Sequence, residues 1–298
     1  MSLLIELINS FVNSLNTREI AIMILVIVFL IPILLIKDVR KVLLDVVRIF
    51  FSIKIIIPFI GMVLYITLIL YLLYHWGFLN TDYVKEVIFW FVIVAMPLFL
   101  AVNKVRENKN FFRTKAVDYI KLITIFGFVI NFYTLNLVIE LILQSGLFFL
   151  ILLVTFSKTD KKYKSVEIFL NIIFLIIAVY LAIFFINSLF INPNEFININ
   201  TVITYVIPAI LTILLMPFIY LLALVMRYEM FYLLLKMRFK ESKLHKYVFK
   251  EVFKRYNLDL YGLDDFLSEF HIYNIQNTED VGKEILNAEK RLNHETEY

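Results

Sequence analysis

The chain has 298 residues, of which 61% are hydrophobic and only 18% are charged, and its formal net charge is +4. Long uncharged runs in such a composition exclude an ordinary soluble globular domain and indicate a polytopic membrane protein. The chain has no cysteine, which excludes a disulfide framework, a thiolate metal site and a cysteine nucleophile. Residues 1–17 lack the pattern of a removable signal peptide, so we expect the first span to serve as the insertion signal.

Seven apolar segments are each long enough to cross a bilayer, which takes about 20 residues. In chain order they are residues 20–36, 55–75, 84–102, 119–135, 137–156, 166–186 and 201–226. The fourth and fifth share one mostly apolar run, residues 116–156, which as a single helix would extend about 60 Å, twice the hydrocarbon thickness. We therefore predict a turn near residues 131–136 and an all-α membrane bundle of about seven spans.

Residues 37–54, between the first two spans, alternate charged and apolar side chains at helical spacing. The charged positions that follow this spacing are Lys37, Arg40, Lys41, Asp45 and Arg48. Long cationic side chains on an amphipathic helix are typical of a segment that lies in the membrane interface. We therefore expect this segment to follow the bilayer surface.

The basic residues are distributed unevenly along the chain. Segments 37–54, 103–118, 157–165 and 227–298 hold 26 of the 29 lysines and arginines, whereas segments 76–83, 131–136 and 187–200 hold none. Under the positive-inside rule the four basic segments are cytoplasmic. Seven alternating spans satisfy this rule if the N-terminus is outside and the C-terminus is cytoplasmic. We therefore predict a multi-pass protein of a bacterial inner membrane.

The charge pattern divides the chain into a transmembrane domain, residues 1–226, and a cytoplasmic helical domain, residues 227–298. The second domain begins with a basic helix, residues 227–256, which has nine Lys and Arg against three Glu, and ends with an acidic tail, residues 257–298, which has three against ten Asp and Glu. Two such parts can face each other. In the tail we predict helices at 263–270 and 279–292, the second with Thr278 as its N-cap.

The seventh span continues into the basic helix with no Pro or Gly stop between them. A continuous helix would couple the membrane to events in the aqueous phase. On this span Thr201, Thr204 and Thr212 share one face, which Leu215 and Ile219 continue, and Pro208 and Pro217 are candidate hinges. Small polar residues above an apolar constriction would suit a gated pore. Alternatively, each hydroxyl bonds to its own helix and the prolines only bend it.

A second candidate pore face lies at the start of the fifth span, where Asn136, Glu140 and Gln144 follow one another at intervals of four residues. On a helix they share one face and could line an aqueous path or bind a cation, because ionisable groups at membrane depth are costly and often functional. The alternative is that Glu140 lies at the outer end of its span, where water solvates it.

The basic helix carries a candidate ligand site. Lys236, Lys240, Lys243, Lys246, Lys250 and Lys254 fall on one helical arc, with Phe239 and Tyr247 projecting into it. Lysines with interleaved aromatic rings suit a nucleotide or a single-stranded oligonucleotide. Two alternatives remain, namely anionic lipid headgroups and the acidic tail of the same or a neighbouring subunit.

The sequence carries no enzymatic signature. The four histidines are scattered, and there is no H-E-x-x-H, no G-x-S-x-G and no glycine-rich phosphate loop. We therefore predict that the protein is not an enzyme, and we expect no catalytic residue, cofactor or metal.

In its organisation the chain resembles the bacterial membrane effectors of anti-phage defence. It has short-looped spans, a small helical tail, the basic stripe from Lys236 to Lys254, and a cysteine-free composition rich in Ile, Phe, Lys and Asn. In outline it is similar to the channel effector of Hailong-type systems. The resemblance implies an oligomeric ion channel controlled by a nucleotide or oligonucleotide that a partner enzyme makes, with membrane depolarisation as the outcome.

Three functions follow as hypotheses. The first is a homo-oligomeric channel, for instance a tetramer, gated by the cytoplasmic domain. The second is a carrier or flippase for a lipid-linked or anionic substrate, which predicts paired, discontinuous helices. The third is a scaffold that recruits a cytoplasmic partner protein through the acidic tail.

Overall fold

The structure, a computed structural model, describes residues 15–80, 83–105, 135–191, 199–239 and 242–295, together with residues 111, 114 and 117. These residues are helical and contain no strand, so the predicted all-α class is confirmed. In chain order the α-helices with bounds are α1 (Thr17–Leu35), α2 (Lys37–Phe50), α3 (Ile53–His75), α4 (Val84–Trp90), α5 (Met96–Leu100), α6 (Leu137–Ser157), α7 (Lys164–Ile191), α8 (Ile199–Arg238), α9 (Ser242–Tyr256), α10 (Leu260–Glu269) and α11 (Thr278–Glu295).

Within the described ranges, four helical segments are long and apolar enough to cross a membrane. They are α1, α3, α6 and residues 206–238 of α8. The first three agree closely with predicted spans one, two and five. The predicted fourth span, residues 119–135, lies outside the described residues, so the count of seven spans stays a prediction.

The chain forms two compact units. The first comprises residues 1–60, 67–90 and 119–210, and the second comprises residues 61–66, 91–118 and 211–298. The predicted domain boundary at residue 226 therefore differs from this division, in which residues 211–226 belong with the C-terminal helices.

In the first unit, α1 and α6 pack side by side and run in the same direction. Near their N-terminal ends the hydroxyl of Thr17 donates to the carbonyl of Leu135 at 2.8 Å. Further along both helices, the rings of Phe29 and Phe148 lie with their centroids 4.7 Å apart. Two contacts in the same order along both helices establish the parallel arrangement.

Asparagine side chains fix where these two helices begin. Asn16 and Glu19 form a reciprocal capping box at the start of α1. Asn136 caps α6 by accepting a hydrogen bond from the backbone N–H of Val138 at 3.1 Å. A side chain that satisfies an otherwise unpaired N–H defines a helix start without Pro or Gly. This explains how α6 begins where the apolar run offers neither residue.

In the second unit, the later part of α8 packs with α9, α10, α11 and the middle of α3. Tyr65 of α3 donates to the carbonyl of Leu214 at 2.9 Å, and its ring stacks on Phe218 with centroids 5.3 Å apart. The core of this unit is made of fully buried side chains from several helices, among them Leu211, Leu215, Ile219, Leu235, Val248, Val252, Leu260, Leu263 and Phe266.

Two details of the C-terminal region differ from the sequence prediction. The basic segment 227–256 is not one helix, because α8 ends at Arg238 and α9 begins at Ser242. Thr278 is the first residue of α11 rather than its N-cap. The cap is Asn277, whose side-chain oxygen accepts from the N–H groups of Glu279 and Asp280 at 3.0 and 3.1 Å.

Candidate functional site

The candidate site is the place where α8 meets the C-terminal helices. α8 is a single helix from Ile199 to Arg238 and continues past Met226 and Arg227 without interruption. The predicted continuity from the apolar span into the basic segment is therefore confirmed as far as Arg238. Residues 211–238 and the C-terminal helices belong to the same compact unit.

Two tyrosines of α8 hold the turn that follows α9. The Tyr220 hydroxyl donates to the carbonyl of Leu258 at 2.6 Å and accepts from the N–H of Leu260 at 3.0 Å. The Tyr228 hydroxyl donates to the carbonyl of Asn257 at 3.0 Å. Asn257 has a φ of +40°, and Asn is among the few residues that accept this left-handed conformation at a helix end.

An ion pair ties the same stretch of α8 to α10. The Nε atom of Arg227 lies 2.6 Å from a carboxylate oxygen of Asp264, and the two side chains are 11% and 16% exposed. We call the set formed by Tyr220, Tyr228 and Arg227 with their partners the α8 junction. It gives α8 three polar connections to the chain between Asn257 and Asp264.

A second ion pair joins α9 to α11. Arg255 makes a two-point contact with the carboxylate of Glu289, at 2.5 and 2.7 Å. In the same region, burial and then the charge of Glu289 raise the pKa of Tyr256 to about 12. The basic and acidic parts of the tail therefore face each other, as the charge pattern predicted, but the contacts use arginines rather than the lysine stripe.

The buried carboxylate of Glu284 binds the segment that precedes α11. Burial alone would raise the pKa of Glu284, but hydrogen bonds from Asn274, Arg291 and the N–H of His271 bring it below its usual value. Three donors on one carboxylate stabilise its ionised form. This network holds the residues between α10 and α11 against α11, and its role is structural.

The lysines of α9 lie on the exposed face of this helix. We define the lysine face as Lys243, Lys246, Lys250 and Lys254, which are all exposed. On the opposite side of the helix Val248 and Val252 are fully buried. Lys254 lies 3.0 Å from Glu251, and the other three lysines make no ion pair with the described residues.

Aromatic side chains border the lysine face. Tyr247 and Phe253, on either side of it, are 42% and 45% exposed. Exposed rings beside unpaired ammonium groups match the combination used to bind phosphates together with bases. The acidic tail of the same chain is not seated on this face among the described residues, and the other predicted partners, which are lipid headgroups, a soluble polyanion and the acidic tail of a neighbouring subunit, stay predictions.

The remaining members of the predicted lysine stripe are elsewhere. Lys236 is exposed on α8, separated from α9 by the break after Arg238. Phe239 is 8% exposed, so its ring lies in the protein interior instead of projecting between lysines. Lys240 lies outside the described residues.

The predicted pore face of α8 is turned into the protein. Thr212, Leu215 and Ile219 have no exposed surface, and Pro208 is buried, while Thr204 is half-buried. The side chain of Thr201 lies outside the description. Pro217, the second predicted hinge, is exposed. In this conformation the buried residues offer no surface to a pore between copies, so a pore-lining role would require them to become exposed.

The second predicted pore face is an ion-pair site. Glu140 is fully buried and accepts three hydrogen bonds from the guanidinium of Arg18, at 3.0 to 3.1 Å. It also accepts from the N–H of Leu135 at 2.9 Å and from Gln144 at 3.4 Å. Asn136 is the helix cap. These groups are therefore engaged with one another and with Arg18, rather than lining an aqueous path in this conformation.

Several residues of these sites were not singled out from the sequence, namely Arg18, Tyr220, Arg227, Tyr228 and Asp264. Arg18 and Arg227 carried a usable signal, because each is a lone arginine at the end of a long apolar run. The tyrosines carried none, since a tyrosine near a span end is ordinary for the interface.

Fold and composition together define an all-helical chain of the membrane-protein class. Comparison of the chain with protein-family models, with curated proteins and with solved structures finds no match.

Proposed function

We propose that this chain is the subunit of a homo-oligomeric ion channel whose opening is controlled by its C-terminal helices. The observation that carries the proposal is the uninterrupted α8 together with the α8 junction. Displacement of α10 or of the turn after α9 acts directly on Tyr220, Arg227 and Tyr228, and a packed helix transmits such a shift along its length. Opening would then expose the buried face that contains Thr212, Leu215 and Ile219.

The controlling ligand in this proposal is a polyanion, such as a nucleotide or a short single-stranded oligonucleotide, bound at the lysine face. Lys243, Lys246 and Lys250 are exposed and unpaired with described residues, and the tail uses Arg227 and Arg255 for its own ion pairs. The ligand shifts the gate only through different affinities for the closed and open states. In a bacterium under phage attack, opening would depolarise the inner membrane.

The packing of the first unit supports the alternation of spans that the proposed seven-span arrangement requires. The starts of α1, α4 and α6 lie together, because Lys85 is 3.4 Å from Glu19 and Arg18 binds Glu140. Three helices that start on one side require an odd number of crossings between α1 and α6. α3, residues 84–102 and one further crossing at residues 119–135 make three.

A labelling experiment tests this topology, using the absence of cysteine from the chain. Phe78→Cys lies in the loop after α3 and Thr159→Cys in the loop after α6. On intact cells, a membrane-impermeant maleimide should label the first variant, and it should label the second only after permeabilisation. Labelling of both variants from the same side would contradict the seven-span arrangement.

Conductance of the full chain in liposomes tests the function. We expect a conductance that changes on addition of inorganic triphosphate, ATP or a short oligonucleotide. Replacing Lys243, Lys246 and Lys250 by Gln should raise the half-maximal triphosphate concentration about tenfold, because an exposed charge pair contributes about 0.5 kcal/mol and three are removed. The matched control replaces two exposed lysines of α11, Lys283 and Lys290, and should leave the response unchanged.

The outcomes separate the hypotheses. A symmetric ring of copies in native mass spectrometry, together with conductance, supports the channel. A monomer that moves substrate without conductance supports a carrier or flippase. Recruitment through the acidic tail is less well supported, since Asp264, Glu284 and Glu289 are already engaged inside the protein.

A further inference from the structure

The helix α2 is an exposed amphipathic element that the proposed channel mechanism does not use. One residue separates it from the end of α1, and two residues separate it from the start of α3. Both neighbouring helices are long and apolar enough to cross a membrane. A helix held between the ends of two such helices lies at the level of the lipid headgroups.

Most of the apolar side chains of α2 are exposed in the described structure. At 100° per residue all of them except Leu44, which lies on the opposite side, occupy an arc of about 160°, made up of Val39, Val42, Leu43, Val46, Val47, Ile49 and Phe50. Val42 and Ile49 are each 61% exposed and Val46 is 56% exposed, values expected for the outside of a protein rather than for a packed helix. Val39 and Phe50 are half-buried, and the ring centroid of Phe50 lies 5.1 Å from that of Phe59 in α3.

The opposite side of α2 is cationic. Lys37, Arg40, Lys41 and Arg48 outnumber Asp38 and Asp45. Arg48 lies 3.8 Å from Asp45 with 86% of its side chain exposed, and the other three cations make no ion pair with the described residues. Cations in this position fit the phosphates of anionic phospholipids.

We propose that α2 binds the surface of the bilayer, with its apolar arc among the acyl chains and its cations on the headgroups of anionic phospholipids. Position at the level of the headgroups, exposed apolar area and charge complementarity all select this occupant. A second copy of the chain would cover the apolar arc but would leave the cations without a counter-charge. The proposal is independent of whether the protein conducts ions.

Depth-dependent quenching tests whether the apolar arc of α2 lies among the acyl chains. In the cysteine-free chain, Val46→Cys and Lys41→Cys place a fluorophore on the apolar and on the cationic side of α2. In vesicles of equal parts phosphatidylcholine and phosphatidylglycerol, spin-labelled acyl chains should quench the label at 46, and aqueous iodide should quench the label at 41. Quenching of the label at 46 by iodide overturns the proposal. A label at 46 that neither agent quenches also overturns it, because burial against a protein partner would give that result.

Lipid selectivity tests whether the cations of α2 bind the headgroups of anionic phospholipids. Spin-labelled phosphatidylglycerol should associate with the protein more strongly than spin-labelled phosphatidylcholine. Replacing Arg40, Lys41 and Arg48 by Gln should reduce this preference by about fivefold per removed cation, the factor that corresponds to about 1 kcal/mol. Replacing Lys283 and Lys290 of α11 by Gln should leave it unchanged. An unaltered preference in the α2 variant would overturn the assignment of anionic headgroups.

Discussion

The guanidinium of Arg227 lies 2.6 Å from the carboxylate of Asp264, with both side chains largely buried. Arg227 is the first charged residue after the apolar stretch 201–226 of α8. Asp264 belongs to α10, a helix that the sequence places in the acidic tail. This single contact therefore joins the end of the apolar stretch to the C-terminal helices.

Breaking the pair should destabilise the protein. We expect Arg227→Gln or Asp264→Asn to cost about 2–3 kcal/mol, because each leaves a largely buried charge without its partner. The double variant should lose less than the sum of the two, since neither charge then remains. Thermal unfolding of the full chain in detergent measures both quantities.

Arg255→Gln is the matched control, because the pair of Arg255 with Glu289 is more exposed, at 46% and 27%. Its cost should be at most about 1 kcal/mol. Equal costs for Arg227→Gln and Arg255→Gln would show that burial does not distinguish the two pairs.

Loss of the Tyr220 hydroxyl should loosen the turn after α9. Tyr220→Phe removes one donated and one accepted hydrogen bond and leaves the N–H of Leu260 without a partner, at a cost of about 1–3 kcal/mol. Hydrogen exchange of the amides between Asn257 and Leu263 should become faster. Tyr273→Phe, on a ring that is 80% exposed, should change nothing. Unchanged exchange in Tyr220→Phe would remove this residue from the α8 junction.

Breaking the pair of Arg18 and Glu140 should be one of the most costly single changes in the first unit. We expect Glu140→Gln to cost about 3–5 kcal/mol, because it leaves the Arg18 guanidinium buried beside a neutral group. Gln144→Leu, which removes only a hydrogen bond of 3.4 Å, should cost much less. The apparent melting temperature in detergent compares the two variants, and similar losses would argue against a dominant ion pair.

Stability should fall in acid through Glu284. Because hydrogen bonds hold the pKa of Glu284 below its value in the unfolded chain, the folded state binds fewer protons. The stabilisation is present above the unfolded-state pKa of about 4.3 and is lost as pH falls through the lower folded-state pKa. Glu284→Gln should be less stable than wild type at neutral pH, and the difference should shrink from about pH 5 downward. A constant difference would contradict this account.

The sequence anticipated the elements of the membrane region better than their contacts. Residues 137–156 were predicted as a span, and α6 covers Leu137–Ser157, because the length of the apolar run and the cap at Asn136 are local properties. The pairing of Glu140 with Arg18, 122 residues away in the chain, depends on how helices pack and has no local signature.

In the C-terminal region, helical periodicity alone does not predict where a helix ends. Residues 227–256 continue a helical pattern without Pro or Gly, yet α8 ends at Arg238, next to the buried ring of Phe239. Tertiary packing thus overrides a pattern that favours one helix. The α9 lysines share one face of their helix, as the sequence predicted, because the pattern within that helix, with Val248 and Val252 opposite, is local.

Cross-linking α8 to α10 tests the central claim most directly. In the cysteine-free chain, Arg227→Cys and Asp264→Cys can be joined by a short bifunctional maleimide, and the conductance of the full chain in liposomes is then measured with and without triphosphate. We predict that the double variant responds weakly to triphosphate before cross-linking and that cross-linking restores the response, because the covalent link replaces the lost ion pair, whereas each single variant treated in the same way stays weak. A double variant that responds equally strongly with and without the cross-link would contradict transmission through this contact of the α8 junction.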